Sequence, residues 1–304
     1  MCMRYGIIDV GSNSIRLCVY QGQVDDKPIV LLHDEKIMAG LASYVQEDGC
    51  LSGEGIARAI EAIAQLCLSA GRHGAVETHV FATAVIRNAR NSQAVAAASE
   101  KACDVDLDVL SGSQEAYLGF KGAQRSVPDA DGVFFDIGGG STEVTHFRNG
   151  HMTHCVSLPL GSLNMRVKHV AGVLPTEEEI RAIAQEVTSA LEAVPEFGDV
   201  RFPKVYGVGG SVRAAARVLG AMEDEDDSSG IGVDHLRAAL SLAVREPYEV
   251  EDKVRELLPD RVTTLFPGMV IQERLATFFG AQSIMAATCG VREGYLRGVV
   301  LGQW

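Results

Sequence analysis

Two stretches of the sequence, about half the chain apart, repeat the same order of residue types. In residues 5–14 and again in residues 133–141, an apolar run ends in an aspartate, which is Asp9 in the first copy and Asp136 in the second. An aliphatic residue, a glycine-rich bend and a serine follow in both copies. Each copy predicts a β-hairpin whose turn exposes backbone N–H groups beside a carboxylate at the end of a strand.

Turns of this kind can bind phosphate. Glycine lets the backbone approach an anion closely, and successive N–H groups then donate to its oxygens. The phosphate-binding candidates of the two turns are Gly11, Ser12, Asn13, Ser14, Gly138, Gly139, Gly140, Ser141 and Thr142. The polar side chains among them could instead bond to their own turn backbone. Two turns that face each other across a cleft would hold a phosphate chain from both sides.

Carboxylates at the ends of these strands are candidates for a metal site. Asp9 and Asp136 are suited to hold Mg²⁺ directly or through its water molecules, because this hard cation prefers oxygen ligands. Glu143 lies on the strand that returns from the second turn and would join the same acidic cluster. The sequence leaves the identity of the metal open.

The two turns are embedded in alternating strand and helix patterns. Short apolar runs predict strands over residues 6–10, 15–20, 29–32, 79–84 and 203–207. Apolar residues at helical spacing predict helices over 54–68 and 269–279. Thr176 and Glu179 form a capping box that opens a further helix, and Ser113 is a candidate N-cap for a helix that contains Glu115. This duplicated alternation predicts an α/β protein of two similar halves.

A polar segment rich in turn residues, 125–132, directly precedes the second aspartate-glycine hairpin. We therefore predict a domain boundary after residue 127, with a first domain over 1–127 and a second over 128–290. The acidic run within 222–230 is expected to form a solvated loop of the second domain.

Composition narrows the classes of function. The chain has 304 residues, a formal net charge of −13 and 47% hydrophobic residues. The negative charge argues against broad nucleic-acid binding, which depends on Lys and Arg side chains that neutralise phosphates. Any polyanionic substrate must therefore be held by local groups. No apolar stretch is long enough to span a bilayer, and no signal-peptide pattern precedes the first strand, so we expect a cytoplasmic location without a membrane partner.

Taken together, the motifs resemble those of the exopolyphosphatase / guanosine pentaphosphate phosphatase (Ppx/GppA) family, a branch of the actin-like ATPase superfamily. The resemblance runs nearly end to end and is carried by residues 9–16, 82–91, 110–116, 136–143, 207–211 and 290–296. It implies two actin-like (ribonuclease H-like) α/β domains with an interdomain cleft. It also implies that the last helix, about residues 291–304, returns to complete the first domain.

The same resemblance implies roles for residues outside the two turns. A third glycine loop adds three phosphate-binding candidates, Gly209, Gly210 and Ser211. Arg87 would contact a phosphate oxygen, and Glu115 would be the catalytic residue that orients and deprotonates the attacking water. Without the resemblance, we would expect Arg87 to be a surface arginine or part of a structural ion pair, and Glu115 to be a solvated carboxylate at a helix start.

The activity that the resemblance implies is a Mg²⁺-dependent hydrolase that releases terminal inorganic phosphate from polyphosphate or from guanosine pentaphosphate. The alternatives are a kinase or ATPase of the same superfamily, a non-catalytic sensor that binds polyphosphate or guanosine penta- or tetraphosphate, and a structural partner protein whose cleft is vestigial. Departures from the family pattern at Val208, Ser211 and Asn164 leave room for the sensor. The sequence resembles the short, two-domain form of the family. It leaves open the substrate, its chain length and the oligomeric state, for which a homodimer is the commonest assembly.

Overall fold

A computed structural model of the chain describes residues 3–22, 29–223 and 230–303. The acidic run that was predicted to form a solvated loop falls mostly on residues 224–229, outside the described residues. The fold divides into two compact units. Unit 1 comprises Met1–Ala123 and Cys289–Trp304, and unit 2 comprises Gln124–Thr288.

Each unit is built on one sheet. The strands of unit 1 are β1 (Met3–Val10), β2 (Ile15–Gly22), β3 (Val30–Ile37), β4 (Glu77–Ala82) and β5 (Leu107–Val109). Those of unit 2 are β6 (Gly132–Ile137), β7 (Thr142–Arg148), β8 (His151–Leu158), β9 (Lys204–Val208), β10 (Ile231–Gly232) and β11 (Ser283–Ala286). The strand orders are β3-β2-β1-β4-β5 and β10-β11-β9-β6-β7-β8.

In chain order, the helices are α1 (Gly53–Arg72), α2 (Ala84–Arg87), α3 (Ser92–Cys103), α4 (Gly112–Ala123), α5 (Ser162–His169), α6 (Glu177–Glu192), α7 (Gly210–Glu223), α8 (Val233–Arg245), α9 (Pro247–Leu257), α10 (Leu265–Phe278) and α11 (Val291–Tyr295). The first four and α11 belong to unit 1, and the others belong to unit 2. None of the helices within the described ranges is both long and apolar enough to cross a membrane.

The sheet of unit 1 has a helical layer on both faces. Successive side chains of a strand point to opposite faces, and β1 shows this directly. Ile8 and Val10 pack into the core formed with α1 and α3, whereas Tyr5 and Ile7 pack into the core formed with α4 and α11. A strand that is apolar on both faces therefore becomes the centre of a three-layer arrangement.

The sheet of unit 2 repeats the hairpin of unit 1. Asp9 pairs with Arg16 across the first hairpin, and Asp136 pairs with Glu143 at the same place in the second. In each unit a third antiparallel strand follows, with a register shift at the equivalent point. The first strand of each hairpin then pairs in parallel with a later strand, β4 in unit 1 and β9 in unit 2. The duplication seen in the sequence thus extends to strand register.

At their first junction the units divide after Ala123, four residues before the boundary predicted from the sequence. At the second junction they divide after Thr288. The side chain of Gln124 donates a hydrogen bond of 2.6 Å to the carbonyl of Gly150, which lies in unit 2. The chain therefore joins unit 2 before it reaches the polar segment on which the boundary was predicted.

Helix starts were predictable where capping residues could be recognised. The hydroxyl of Thr176 accepts the N–H of Glu179 at 3.3 Å, and the Glu179 carboxylate accepts the N–H of Thr176 at 2.8 Å, so the predicted capping box opens α6. The predicted N-cap Ser113 is wrong, because it lies inside the first turn of α4. Ser111 and Gln114 instead exchange the capping hydrogen bonds, at 3.2 and 2.8 Å.

Replacing Thr176 with alanine should lower the free energy of unfolding of unit 2 by about 1 kcal/mol, because an orphan N–H at the start of α6 loses its acceptor. Urea denaturation followed by circular dichroism measures the change. Thr188→Ala is the matched control in the same helix: its hydroxyl bonds back to the carbonyl of Ala184, an interaction that adds little to helix stability. Equal losses for the two variants would contradict the role of the cap.

Candidate active site

The carboxyl ends of three neighbouring parallel strands in unit 1 carry the sequence-predicted groups of that unit. The last residues of β1, β4 and β5 are register partners. The turn 11–14 follows β1, Arg87 lies in the short helix after β4, and Glu115 lies in the first turn of the helix after β5. This edge is where open α/β sheets place their ligand sites.

The first turn is closed by a backbone hydrogen bond of 3.1 Å from the N–H of Gly11 to the carbonyl of Ser14. Amides of the segment 40–42 donate to the carbonyls of Ser12 and Asn13 at 2.9 Å each. The carbonyl oxygens of the turn are thus taken up by a neighbouring segment of the same unit.

The second turn has the same construction. The N–H of Gly138 donates to the carbonyl of Ser141 at 2.9 Å. Amides at the start of α5 donate to the carbonyls of Gly138 and Gly139 at 3.0 Å, and the side chain of Asn164 donates to the carbonyl of Gly140 at 2.7 Å. Asn164, which departs from the family pattern, therefore stabilises the turn by binding one of its carbonyl groups.

The middle of each turn contains two consecutive N–H groups. Those of Ser12, Asn13, Gly139 and Gly140 have no protein acceptor within the described residues. Consecutive N–H groups of this kind form a concave anion-binding nest. The hydroxyl of Thr142, by contrast, is fully buried and donates to a backbone carbonyl, which is the local role that such turn side chains take.

The third glycine loop lies beside the second turn. Val208, the last residue of β9, is the parallel partner of Asp136. Gly209 has φ of +98°, and a Cβ atom placed on it would lie 2.4 Å from Oδ1 of Asp136. Only glycine fits here. The helix α7 begins at the next residue, Gly210, so its N-terminal N–H groups and positive dipole end lie next to this carboxylate.

Sequence reasoning missed Arg261, which lies over the third loop. A Cβ atom on Gly210 would lie 2.0 Å from Nη2 of Arg261. The arginine belongs to a one-turn 3₁₀ helix, Pro259–Arg261, that precedes α10. No motif surrounds it in the sequence, so only the tertiary fold shows that a cation is present at this loop.

The acidic residues of unit 2 form a cross-strand pair. Asp136 and Glu143 are register partners in the antiparallel pair β6 and β7, so their side chains share one face of the sheet. Glu143 is buried and accepts a hydrogen bond of 2.7 Å from Ser157. Within the part of the chain that the structure describes, no group of three or more His, Cys, Asp or Glu side chains could hold a metal ion by itself.

Asp9, the acidic residue of the first turn, is held by an arginine that sequence reasoning did not assign. Nη1 of Arg292 donates to Oδ2 of Asp9 at 3.0 Å. Burial raises the pKa of the Asp9 carboxyl above its usual value, and the neighbouring guanidinium offsets part of that rise. The motif that contains Arg292 was visible in the sequence, but its contact with Asp9 joins positions 283 residues apart.

Glu115 and Arg87, predicted separately from the family motifs, form an ion pair. The side chains are 12% and 16% exposed, and Nη1 of Arg87 lies 2.5 Å from a carboxylate oxygen of Glu115. The same nitrogen donates to the carbonyl of Leu110 at 3.2 Å. The proposed water-activating carboxylate and the proposed phosphate contact therefore share one location at the edge of the sheet.

The chain matches a known protein family over most of its length. A model of the Ppx/GppA phosphatase family matches residues 21–302. The chain belongs to the Ppx/GppA phosphatase family. The resemblance drawn from the sequence motifs is thereby confirmed.

Individual Ppx/GppA proteins are similar over nearly the whole chain. A guanosine-5'-triphosphate,3'-diphosphate pyrophosphatase of Pseudoalteromonas atlantica is 25% identical over 97% of this chain, which spans 58% of that protein. Exopolyphosphatase 1 of Mycobacterium tuberculosis is 24% identical over 97% of this chain and 87% of its own length.

A solved structure establishes the fold. The crystal structure of an exopolyphosphatase from Cytophaga hutchinsonii superposes with a TM-score of 0.84 at 19% identity, over 99% of this chain and 98% of the other. The α/β fold with actin-like domains that was predicted from the sequence is confirmed by this likeness.

Gly161→Ala should deform the second turn of this Ppx/GppA protein. A Cβ atom at position 161 would lie 2.1 Å from the carbonyl oxygen of Gly139 and 2.4 Å from the nitrogen of Gly140, so the turn must shift. We expect the affinity for tripolyphosphate, measured by calorimetry, to fall by about tenfold or more. A tenfold loss of affinity corresponds to a free energy at the lower end of the range that overpacking costs.

Gly53→Ala is the control for this experiment, because a Cβ atom there has nothing within 4 Å. A folded Gly161→Ala variant with unchanged tripolyphosphate affinity would exclude residues 138–141 from phosphate binding.

Proposed function

We propose that the chain is a phosphoanhydride hydrolase that releases terminal inorganic phosphate from polyphosphate or from guanosine pentaphosphate. Two relatives that match almost the whole chain carry the names exopolyphosphatase and guanosine-5'-triphosphate,3'-diphosphate pyrophosphatase. In this proposal the amides of the first turn in unit 1, and those of the second turn and the third loop in unit 2, bind phosphate oxygens, with Arg261 as an additional cation at the third loop.

The observation that carries the proposal is the ion pair between Glu115 and Arg87 at the carboxyl edge of the parallel strands. A largely buried ion pair adds little net stability, because desolvation offsets the Coulomb attraction. Its position supports a functional explanation. The guanidinium fixes the orientation of the carboxylate through a charge-assisted hydrogen bond, and a fixed orientation is needed to direct a water molecule.

The reaction follows from these assignments. Glu115 accepts a proton from water while the water oxygen bonds to the terminal phosphorus. The bond from this phosphorus to the bridging oxygen breaks, and the electron pair leaves with the shortened chain. Arg87 contacts a non-bridging oxygen and stabilises the charge on the transferred group. Inorganic phosphate is the second product.

The donor set of unit 2 fits a hard divalent cation. Asp136 and Glu143 are facing carboxylates, and Mg²⁺ is usually held by one or two carboxylates together with substrate phosphates and water. These two residues would hold the ion, which supplies charge neutralisation to the phosphate oxygens when bound. Asp9 already has its charge compensated by Arg292, so its part in the metal site stays a prediction.

Polyphosphate and guanosine pentaphosphate present the same chemical groups to these loops. Backbone amides recognise phosphate oxygens, which polyphosphate and guanosine pentaphosphate share. The proposal therefore covers both, and the comparison of substrates belongs to its test.

Glu115→Gln should reduce phosphate release by about 100-fold or more, since the general base is lost, while substrate affinity stays within a few-fold. Release is measured with Mg²⁺ on medium-chain polyphosphate, guanosine pentaphosphate and ATP, and affinity by calorimetry. Glu54→Gln is the matched control, because Glu54 also lies in the first turn of a helix, α1, remote in sequence from the turns.

The outcomes separate the alternatives. Release from either of the first two substrates, lost in Glu115→Gln and kept in Glu54→Gln, supports the hydrolase and identifies its substrate. Release from ATP alone assigns the chain to the kinase and ATPase branch. Binding without release from any of them contradicts the proposal and favours the sensor.

A further inference from the structure

Helix α11 and helix α4 approach each other so closely that only glycine fits at two points of their contact. A Cβ atom on Gly294 would lie 1.9 Å from the carbonyl oxygen of Leu118, and one on Gly122 would lie 1.9 Å from the carbonyl oxygen of Gly290. The contacting residues are four apart on both sides, Leu118 and Gly122 in α4 and the N-cap Gly290 and Gly294 of α11, which is the spacing of one helix face. The backbones of the two helices are therefore in direct contact at these points. In most helix pairs the axes are 8–10 Å apart and side chains lie between them.

We propose that α11 is a positioning element for Glu115: it fixes α4 through these glycine contacts and thereby sets where the carboxylate at the start of α4 is held. The inference rests on the proposed role of Glu115 as general base. Leu118, whose carbonyl meets Gly294, lies one turn after Glu115 on the same helix face. A shift of α4 at this point is passed directly to the turn that carries the carboxylate.

The sheet anchors α11 independently of α4. The hydroxyl of Tyr20 on β2 donates to Glu293 at 2.5 Å, and the other oxygen of Glu293 accepts the N–H of Gly290 at 2.7 Å. The hydroxyl of Tyr295 donates to Asp108 on β5 at 3.2 Å. With the ion pair from Arg292 to Asp9 at the end of β1, α11 is tied to three strands, so it can serve as a fixed reference for α4.

The same helix thus contacts the two functional parts of unit 1. One side holds the carboxylate of the first turn through Arg292, and the other holds the helix of Glu115 through Gly294. Catalysis is sensitive to such placement, because a displacement of about 1 Å can cost about 100-fold in rate. A contact that serves only packing would instead be expected to affect stability and affinity together.

The test uses Gly294→Ala in the full chain, alone and combined with Glu115→Gln. The methyl group must displace the backbone of α4, so we expect kcat for polyphosphate hydrolysis to fall by about 10-fold to 100-fold, with KM changed less than threefold. Affinity for medium-chain polyphosphate, measured in the Glu115→Gln background, should be unchanged. Gly71→Ala, where a Cβ atom has nothing within 4 Å, should keep full activity.

The double variant tests whether α11 acts through Glu115. If it does, Gly294→Ala/Glu115→Gln is no slower than Glu115→Gln, because the position of an absent base no longer matters. Rate losses that multiply in the double variant overturn the proposal, as does a folded Gly294→Ala variant with full kcat. If Glu115→Gln alone retains full activity, the proposed function fails instead, so the two failures are distinguishable.

A second variant covers the case in which Gly294→Ala does not fold. Tyr295→Phe removes the hydrogen bond to Asp108 and keeps the ring, which stacks on Phe81 at a centroid distance of 4.8 Å. We expect a smaller fall in kcat, within about tenfold, from the loosened anchor. This fall should also disappear in the Glu115→Gln background, and a fall that persists there overturns the proposal.

Discussion

A turn closed by one backbone hydrogen bond sets the requirements for much of each unit. In both copies the bond from the first glycine N–H to the serine carbonyl folds the chain so tightly that the two amides between them have no protein acceptor within the described residues. Such a turn must have its carbonyls satisfied elsewhere. The segment 40–42 does this for the first turn and the start of α5 does it for the second. The supporting segments, and the close approach of Gly161 to the second turn, preserve this local geometry.

Charge compensation at the first sheet follows a common scheme. Asp9 and Glu115 are both carboxylates with little exposure, and each is matched by an arginine from another part of the chain. The arginine reduces the cost of burying the acid and fixes its direction at the same time. In unit 2 the equivalent place holds two facing acids, Asp136 and Glu143. The duplicated halves have therefore diverged in electrostatics while keeping their backbone register.

Local patterns were sufficient to predict the features that depend on neighbouring residues. The two turns were visible as a repeat of residue types, and the capping box at Thr176 followed from a pair three residues apart. The choice of Ser113 as a cap failed because Ser111 has the better partner, Gln114. Arg261 could not be predicted, since its place over Gly210 depends on tertiary packing of a turn without a motif. The pairing of Arg87 with Glu115 likewise required the parallel register of β4 and β5.

The order in which the units follow each other along the chain has a consequence for biosynthesis. Unit 2 is continuous, whereas unit 1 consists of residues before it and residues after it. During translation, the core that Tyr5 and Ile7 form with α4 and α11 stays incomplete until the whole of unit 2 has left the ribosome. At a synthesis rate of about 5–20 residues per second this delay lasts roughly 10–30 seconds. For that time the apolar face of the first sheet depends on partial folding or on chaperones for protection.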